Sequence, residues 1–587
     1  MYPYGLIGNC QCSGLVSVEA SLDWLCLPRP DSAPVFGRLL DPEGGHFSIA
    51  PAGAYQATQT YLENTNVLVT RFKCADGSSF QVTDFCPRFG QYGRVYRPLS
   101  LFRIVEPLEG QPQVKVELRP VEGWSRRALT PSRGNSHLRY TRGTDYLRLA
   151  TNMSLTYLCE DVSFGLREPA YFALTFNGAL EDDLQQVSRD FERKTLRYWR
   201  DWVKHCDIPT RHQEAAIRSA LALKLHCFED TGAILASLSS SLPEAPGESR
   251  NWDYRFCWLR DAYFSLGALR SLGHFEEMEG FLRYLLDLAH THRDRLGPVY
   301  RLDRSLPLPE VEQPDWAGWR GSRPVRSGNQ AAEHVQNDVY GEMILTLAPL
   351  FLDQRFAELR HPDHQRLMVD LARRCARSVG EADAGLWELR SNWKRQCFTH
   401  LLLWAGLDRA SRLASAGHLP GLTEDLGGAL RAARSTVESM TADGGGLGNA
   451  EGDPRADASL LLAPVLGFPG KELMEGTVAK VLRELRWSGD QPAFLCRYRH
   501  ADDFGEPEAA FVACSFWLVQ ALAKLGRLDE ARAVMDGALG AANHLGLYSE
   551  HFRPDQKLQT GNFPQAYSHV GLIHGAFAVS EPWDLVL

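Results

Sequence analysis

Through the first 180 residues, apolar and polar positions alternate with a period near two, and then the period lengthens. The segments 66–74 (NVLVTRFKC) and 79–87 (SFQVTDFCP) are rich in β-branched and aromatic residues, and the ADGS between them supplies an Asp-Gly turn, which predicts a hairpin. In 113–120 (QVKVELRP), Val114, Val116 and Leu118 share one face, and 146–150 (YLRLA), 155–160 (LTYLCE) and 171–176 (YFALTF) continue as strands. Strands with one apolar face bury it by stacking two sheets, so residues 1–180 are predicted to form an antiparallel β-sandwich. Over 181–207, Leu184, Val187, Phe191, Leu196, Trp199 and Trp202 recur at helical spacing, which predicts an amphipathic linker helix packed between two domains.

From 208 to 587 the pattern predicts helices and no strand. Twelve stretches carry the helical period: 211–229, 258–272, 275–291, 333–352, 363–379, 394–416, 426–440, 456–467, 474–486, 507–525, 528–542 and 565–579. Connections after an even-numbered helix are mostly short, as in 273–274 (GH), while those before one are long and rich in Gly, Trp, Arg and carboxylates. If successive helices run antiparallel, the long loops share one rim, and six helical hairpins close into an inner and an outer ring. The fold class is therefore multi-domain, a β-sandwich followed by an all-α (α/α)6 toroid. The even-numbered helices are apolar along much of their length, as in 508–522 (EAAFVACSFWLVQAL), and are assigned inside. Loops on a rigid scaffold are where chemistry collects.

Charge narrows the partners. With 63 basic and 72 acidic residues the net charge is −9 and no basic block occurs, which argues against a nucleic acid or an anionic membrane as ligand. The opening MYPYGLIGNCQCSG has no basic n-region or apolar h-region, and no apolar run reaches the roughly 18 residues of a membrane span, so a soluble, cytoplasmic protein is expected. The 13 cysteines are odd in number and scattered, as reduced core thiols would be. Cys10 and Cys12, the one close pair, lack partners for a metal site and are read as buried strand thiols.

Six rim segments carry the candidate chemistry: 250–262, 315–338, 385–395, 449–457, 496–510 and 547–565. They pool Trp252, Trp258, Trp316, Trp319, Trp387 and Trp393 with arginines and acids. Aromatic faces cover the apolar face of a pyranose while carboxylates and guanidinium groups bond its hydroxyls, so this mixture describes a sugar site. Taken singly, each tryptophan reads equally well as a core plug. No phosphate loop, dinucleotide fingerprint, H-E-x-x-H or G-x-S-x-G elbow is present, and the serines of 237–247 are read as loop filler. His334, His400, His569 and His574 have apolar helical surroundings and are read as satisfied core histidines.

Glycosidic cleavage needs one protonated acid and one ionised carboxylate across the sugar ring. Glu388, in AGLWELRSN (384–392), follows Trp387, and desolvation against an indole would favour its neutral form. The alternative is a glutamate placed at a helix start for the helix dipole. Glu550, in LYSEHF (547–552), lies on the last long loop, which a closed ring returns beside the first hairpin.

These residues and their order resemble glycoside hydrolase family 15, the glucoamylase-like enzymes, over almost the whole chain. The resemblance runs through RNWDYRFCWLRDA (250–262), GSRPVRSGNQAAEHVQNDVYGE (321–342), GLWELR (385–390), EAAFVACSFWLV (508–519) and LYSEHF. It implies a β-sandwich, a helical linker and an (α/α)6 barrel with an inverting, exo-acting α-glucosidase site that requires no metal or organic cofactor. Glu388 matches the general acid and Glu550 the general base. Arg260 and Asp261 match the pair that grips the terminal sugar, Arg497 another sugar-binding arginine, and Trp258, Trp316 and Trp387 the pocket lining. An inverting pair should stand about 6.5–9.5 Å apart, leaving room for the attacking water.

Two residues depart from the family pattern: His551, where bacterial relatives often carry an acid, and His400, where a lysine is expected. Both are placed near the acceptor side, which leaves the departing sugar open. The expected substrate is a small α-linked gluco-oligosaccharide, cut at its α-1,4 or α-1,6 end, with trehalase as the alternative. A phosphorylase would need only one catalytic carboxylate, and a sugar-binding protein none. Oligomeric state is open, since the sandwich serves equally as a dimer surface or as a cap for the barrel.

Overall fold

A computed structural model of the chain describes residues 1–180, 182–292, 294–487 and 493–586. Glu181 and Leu587, where the predicted linker begins and the predicted barrel ends, lie outside them.

Two antiparallel sheets form the N-terminal part. One runs in the order Tyr4–Gly8, Ser13–Ser17, Ser21–Cys26, His46–Pro51, Gln113–Arg119 and Phe164–Gly165, with Pro34–Phe36 beside the third strand. The other runs Pro131–Arg133, His137–Arg142, Asp145–Thr151, Ala170–Phe176, Ser100–Glu109, Ser79–Phe85, Leu68–Cys74 and Tyr55–Tyr61. The predicted hairpin is present, pairing Leu68 with Asp84 and Lys73 with Ser79, and Val114, Val116 and Leu118 are all buried. Between the sheets, the buried Arg103 Nε donates to Asp84 Oδ1 at 2.7 Å and its Nη1 to Phe47 O at 2.5 Å, so a charge inside the sandwich meets acceptors from both sheets.

One predicted strand is corrected. Residues 155–160 fold as a short helix, α1 (Leu155–Cys159), because five residues are too few to separate a period of 2 from one of 3.6. Cys10 and Cys12 are buried as expected but sit in the turn between the first two strands, and all 13 cysteines are free thiols.

Helix α2 (Leu184–Lys204) begins where Asp183 accepts the Gln186 backbone N–H. Leu184, Val187, Phe191 and Leu196 pack on the second sheet, while Trp202 stacks on His274 of the helical part at 4.1 Å. The amphipathic helix thus joins the two parts, as its pattern predicts.

The helical part follows as α3 (Gln213–Leu225), α4 (Leu259–Ser271), α5 (Glu276–Thr291), α6 (Asp338–Leu352), α7 (Pro362–Arg377), α8 (Cys397–Ser415), α9 (Gly427–Ser439), α10 (Leu462–Leu466), α11 (Lys471–Leu485), α12 (Val512–Lys524), α13 (Leu528–Ala538) and α14 (Ala566–Val579). These occupy the twelve predicted positions. Helix α10 is short because a 3₁₀ turn (Ala458–Leu461) takes the first half of its stretch and Gly467, at φ +79°, ends it. The even-numbered helices α4 to α14 form the inner ring: α4 packs on α6, α6 on α8, α10 on α12, α12 on α14, and α14 back on α4. Their buried faces share one continuous apolar core with the sandwich.

The expectation of no strand after residue 208 is corrected at the rim. Cys257–Trp258 pairs with Val299–Tyr300, and Ala510–Phe511 pairs with His551–Arg553, which also pairs with Leu558–Thr560. Ribbons of two or three residues carry no readable period, yet they fix Trp258 and the residue preceding His551.

Candidate active site

The rim loops surround an open-mouthed cavity. Glu388, Glu550, Arg260, Asp261, Trp258, Trp387 and Arg497 all line it. Of the eight residues proposed from sequence, Trp316 alone is elsewhere. It is fully buried against the N-terminal part, with its indole N–H donating to Trp124 O at 2.8 Å and its ring edge-on to Trp124. It is a plug between the two parts. Trp319 likewise packs on Tyr2 and Tyr4, and the segment 449–457 does not reach the cavity.

Glu388 is not at a helix start. It lies in a tight loop well before Cys397, where α8 begins, with Glu388 N–H bonded to Gly385 O and Leu389 N–H to Ala384 O, each at 3.1 Å. Its backbone adopts φ +61°, a left-handed conformation that costs a residue with a Cβ of order 1–3 kcal/mol. The helix-dipole explanation therefore falls away. The apolar-wall expectation is corrected too, because Trp387 turns its indole N–H to Asp457 Oδ2 at 2.6 Å. Three donors meet Glu388 instead, all at Oε1: Trp258 Nε1 at 2.6 Å, Gln336 Nε2 at 3.1 Å and Arg260 Nη2 at 3.3 Å.

Arg260 and Asp261 stand in the first turn of α4 and are both buried. Arg260 also donates to Tyr567 Oη at 3.2 Å, Asp338 Oδ2 at 3.3 Å and Gln336 Oε1, so its fork is fixed before any ligand arrives. Burial pushes the Asp261 carboxyl up to about 7; Arg260 opposes this, and the negative charges of Glu388 and Glu550 add to it. Behind Trp387, burial likewise raises Asp457 to about 6 against its hydrogen bonds from Ser459 and Trp387.

On the other side, Glu550 precedes the strand His551–Arg553, with its N–H bonded to Asn562 O and its carbonyl accepting from Val512 N–H, both at 3.0 Å. Gly561 lies against it at φ +73°, and a Cβ there would fall 2.7 Å from Glu550 Oε2, so the site requires glycine. His551 Nδ1 is 3.3 Å from Glu550 Oε2, and Arg497 bridges His551 Nε2 at 3.2 Å and Glu244 Oε2 at 3.0 Å. Glu244, Glu550 and His551 bring ligand atoms within 4.8 Å of one another, but the Arg497 guanidinium already acts as the cation Glu244 and His551 share.

Several contributors were missed. Glu244 sits in the serine-rich stretch read as filler, yet Ser237 to Ser241 are buried and bond Pro564 O and Arg326 O across the rim. Gln336 lies in the segment 321–342 and Tyr567 at the start of the last predicted helix, and only the closed ring aims them at Arg260. His400 is fully satisfied, between Gln396 O at 2.8 Å and Gly380 N–H at 3.0 Å, and does not line the cavity, which corrects its placement at the acceptor side. His569 bonds Ser219 Oγ, as a core histidine should. His334 is the exception: it lines the cavity with neither ring nitrogen bonded.

A buried glutamate (Glu550), a partly exposed one (Glu388), a buried arginine–aspartate pair and indoles around one cavity are equipped to hold a neutral sugar and move protons on either side of a C–O bond. Comparison with known proteins agrees. The sequence profile of glycosyl hydrolases family 15 matches residues 210–577, and that of the trehalase-like N-terminal domain matches residues 3–151. A trehalase of Thermoplasma volcanium is 30% identical, the match covering 98% of this chain and 93% of that protein. A trehalase of Mycolicibacterium smegmatis is also 30% identical, over 98% of this chain and 90% of its own length. The crystal structure of a bacterial glucoamylase complexed with acarbose superposes with a TM-score of 0.70 at 14% identity, covering 98% of this chain and 94% of that one, and so shares the fold. The chain is an O-glycoside hydrolase and belongs to glycosyl hydrolases family 15.

Proposed function

We propose that this enzyme hydrolyses α,α-trehalose to two molecules of glucose with inversion at the attacked carbon. The observation that carries the reading is the likeness to proteins named trehalase along 98% of the chain, sandwich included. This reverses the order expected from sequence, in which an oligosaccharide-cutting α-glucosidase came first.

Arg260 and Asp261 hold the hydroxyls of the glucose to be attacked, with Trp258, Trp387 and Arg497 around it. All three donors to Glu388 converge on Oε1, so Oε2 carries the proton that passes to the glycosidic oxygen. Glu550 takes a proton from a water, whose oxygen attacks the anomeric carbon from the opposite face. His551 Nδ1 stands 3.3 Å from Glu550 Oε2, and Gly561 leaves the space that this carboxylate occupies.

Trehalose, maltose and isomaltose offered to the wild type and to Glu388→Gln test the reading. Glucose release from trehalose alone is expected, with turnover falling by about 10³ or more in the variant while its fold is retained. Inversion at one of two α-linked carbons should yield β- and α-glucose in equal initial amounts by NMR. Release from maltose or isomaltose but not trehalose would restore the glucoamylase reading, and α-glucose alone would exclude inversion.

A further inference from the structure

His334 is 5% exposed, lines the cavity, and has no hydrogen-bond partner at Nδ1 or Nε2. Its backbone is fully engaged: the N–H bonds Ala331 O at 3.0 Å, and the carbonyl accepts from Arg295 Nη2 at 3.2 Å. The ring is therefore held while its polar atoms are not. Buried polar atoms left unpaired are rare, and those facing a binding cavity point to a ligand that completes them.

The surroundings say which part of a ligand. The closed end of the cavity holds Arg260, Asp261 and Tyr567, all buried. His334 instead meets the edge of Trp393 at 6.0 Å, and Trp393 is 37% exposed with its indole N–H on Leu389 O, in the loop just beyond Glu388. Next in that loop, Arg390 is tied to Glu310 at 2.9 Å and lies over Trp252 and Phe504. His334 thus stands on the outward side of Glu388. A proton donor sits between the sugar being attacked and the one that leaves, so the outward side is where the departing sugar lies.

The geometry points to His334 as a specificity-determining residue that hydrogen-bonds hydroxyls of the departing neutral hexose. This rests on the reading of Glu388 as the proton donor. Burial lowers the pKa of His334, against the pull of the Glu388 charge, so near neutral pH the ring offers one N–H donor and one acceptor nitrogen. A hydroxyl, which both donates and accepts, satisfies either atom.

Comparing trehalose with α-D-glucosyl fluoride, whose leaving group cannot reach His334, separates this role from a structural one. His334→Ala should lower kcat/KM for trehalose by about 10–100-fold, at least tenfold more than for the fluoride, and His334→Asn should recover part of the loss. Fluoride turnover also reports that the variant is folded. Equal losses on both substrates, or no selective loss on trehalose, would overturn the inference. If the wild type cleaves the fluoride and maltose but not trehalose, the proposed substrate fails instead, and the same comparison on maltose decides the role of His334.

Discussion

Asp261 is a carboxyl that this pocket holds close to its titration point. Burial sets it near 7, and in the proposed role it is the ionised carboxylate that accepts hydrogen bonds from the sugar hydroxyls. The sign follows: above pH 7 the acceptor is present, and below it the proton occupies the site. For an uncharged substrate, kcat/KM reports the free enzyme, so it should fall below pH 7 toward a tenfold loss per unit. Asp261→Asn should lower kcat/KM at pH 8 and abolish that acid limb. A limb unmoved by the substitution would assign it to another group. At this scale the sequence was readable where residue type and motif order coincided, as at Glu388, Glu550, Arg260 and Asp261. It was not readable for Trp316, because a tryptophan before a helix looks the same whether its ring faces a sugar pocket or another domain. Glu244 and His334 were missed for the same reason, since nothing local distinguishes a loop acid or a core histidine from one turned toward a cavity.

At the scale of elements, the loop 384–389 matters more than the helices it joins. Gly385 at φ +67° and Glu388 at φ +61° form a turn in which the carboxyl is presented by backbone geometry. A Cβ on Gly385 would lie 2.9 Å from Gln396 Cγ, as well as being strained in φ. Gly385→Ala should cost about 1–2 kcal/mol of stability. It should also lower kcat by at least about tenfold with little change in KM, because the proposed proton donor Glu388 moves while Arg260 and Asp261 do not. Urea unfolding and initial rates measure the two effects, and a kcat at the wild-type level would show that the loop tolerates the shift. Long helices were legible because apolar positions repeat over several turns, and eleven of the twelve predicted stretches hold one, while 456–467 holds a 3₁₀ turn and the five-residue α10. The helix Leu155–Cys159 and the rim ribbons were not, because two to five residues cannot express a period.

For the whole molecule, the sandwich acts as a scaffold for the barrel rather than as an appendage. Asn543 Nδ2 donates to Tyr2 O at 3.0 Å and Tyr4 O at 2.9 Å, Trp24 Nε1 to Leu238 O at 2.9 Å, and Arg255, next to the cavity wall, to Ser32 O. Trp316 closes the same seam. Trp316→Ala should therefore destabilise the protein by about 3–5 kcal/mol while leaving KM for trehalose within about twofold. A raised KM with unchanged stability would return Trp316 to the pocket. Among the described residues, no helix is long and apolar enough to cross a membrane.

The sequence by itself determined the switch from strands to helices, the number and alternation of the hairpins, and the pair of glutamates on two rim loops. Each of these is written in short-range periodicity or in residue type, which survives without coordinates. Only the tertiary structure decided which indoles line the cavity, that Glu388 is met by donors at a single oxygen, that His400 is satisfied, and that His334 is left with two unpaired nitrogens. These depend on how loops from distant parts of the chain turn when the ring closes on the sandwich. Contacts between residues far apart in sequence leave no trace in the local pattern of either.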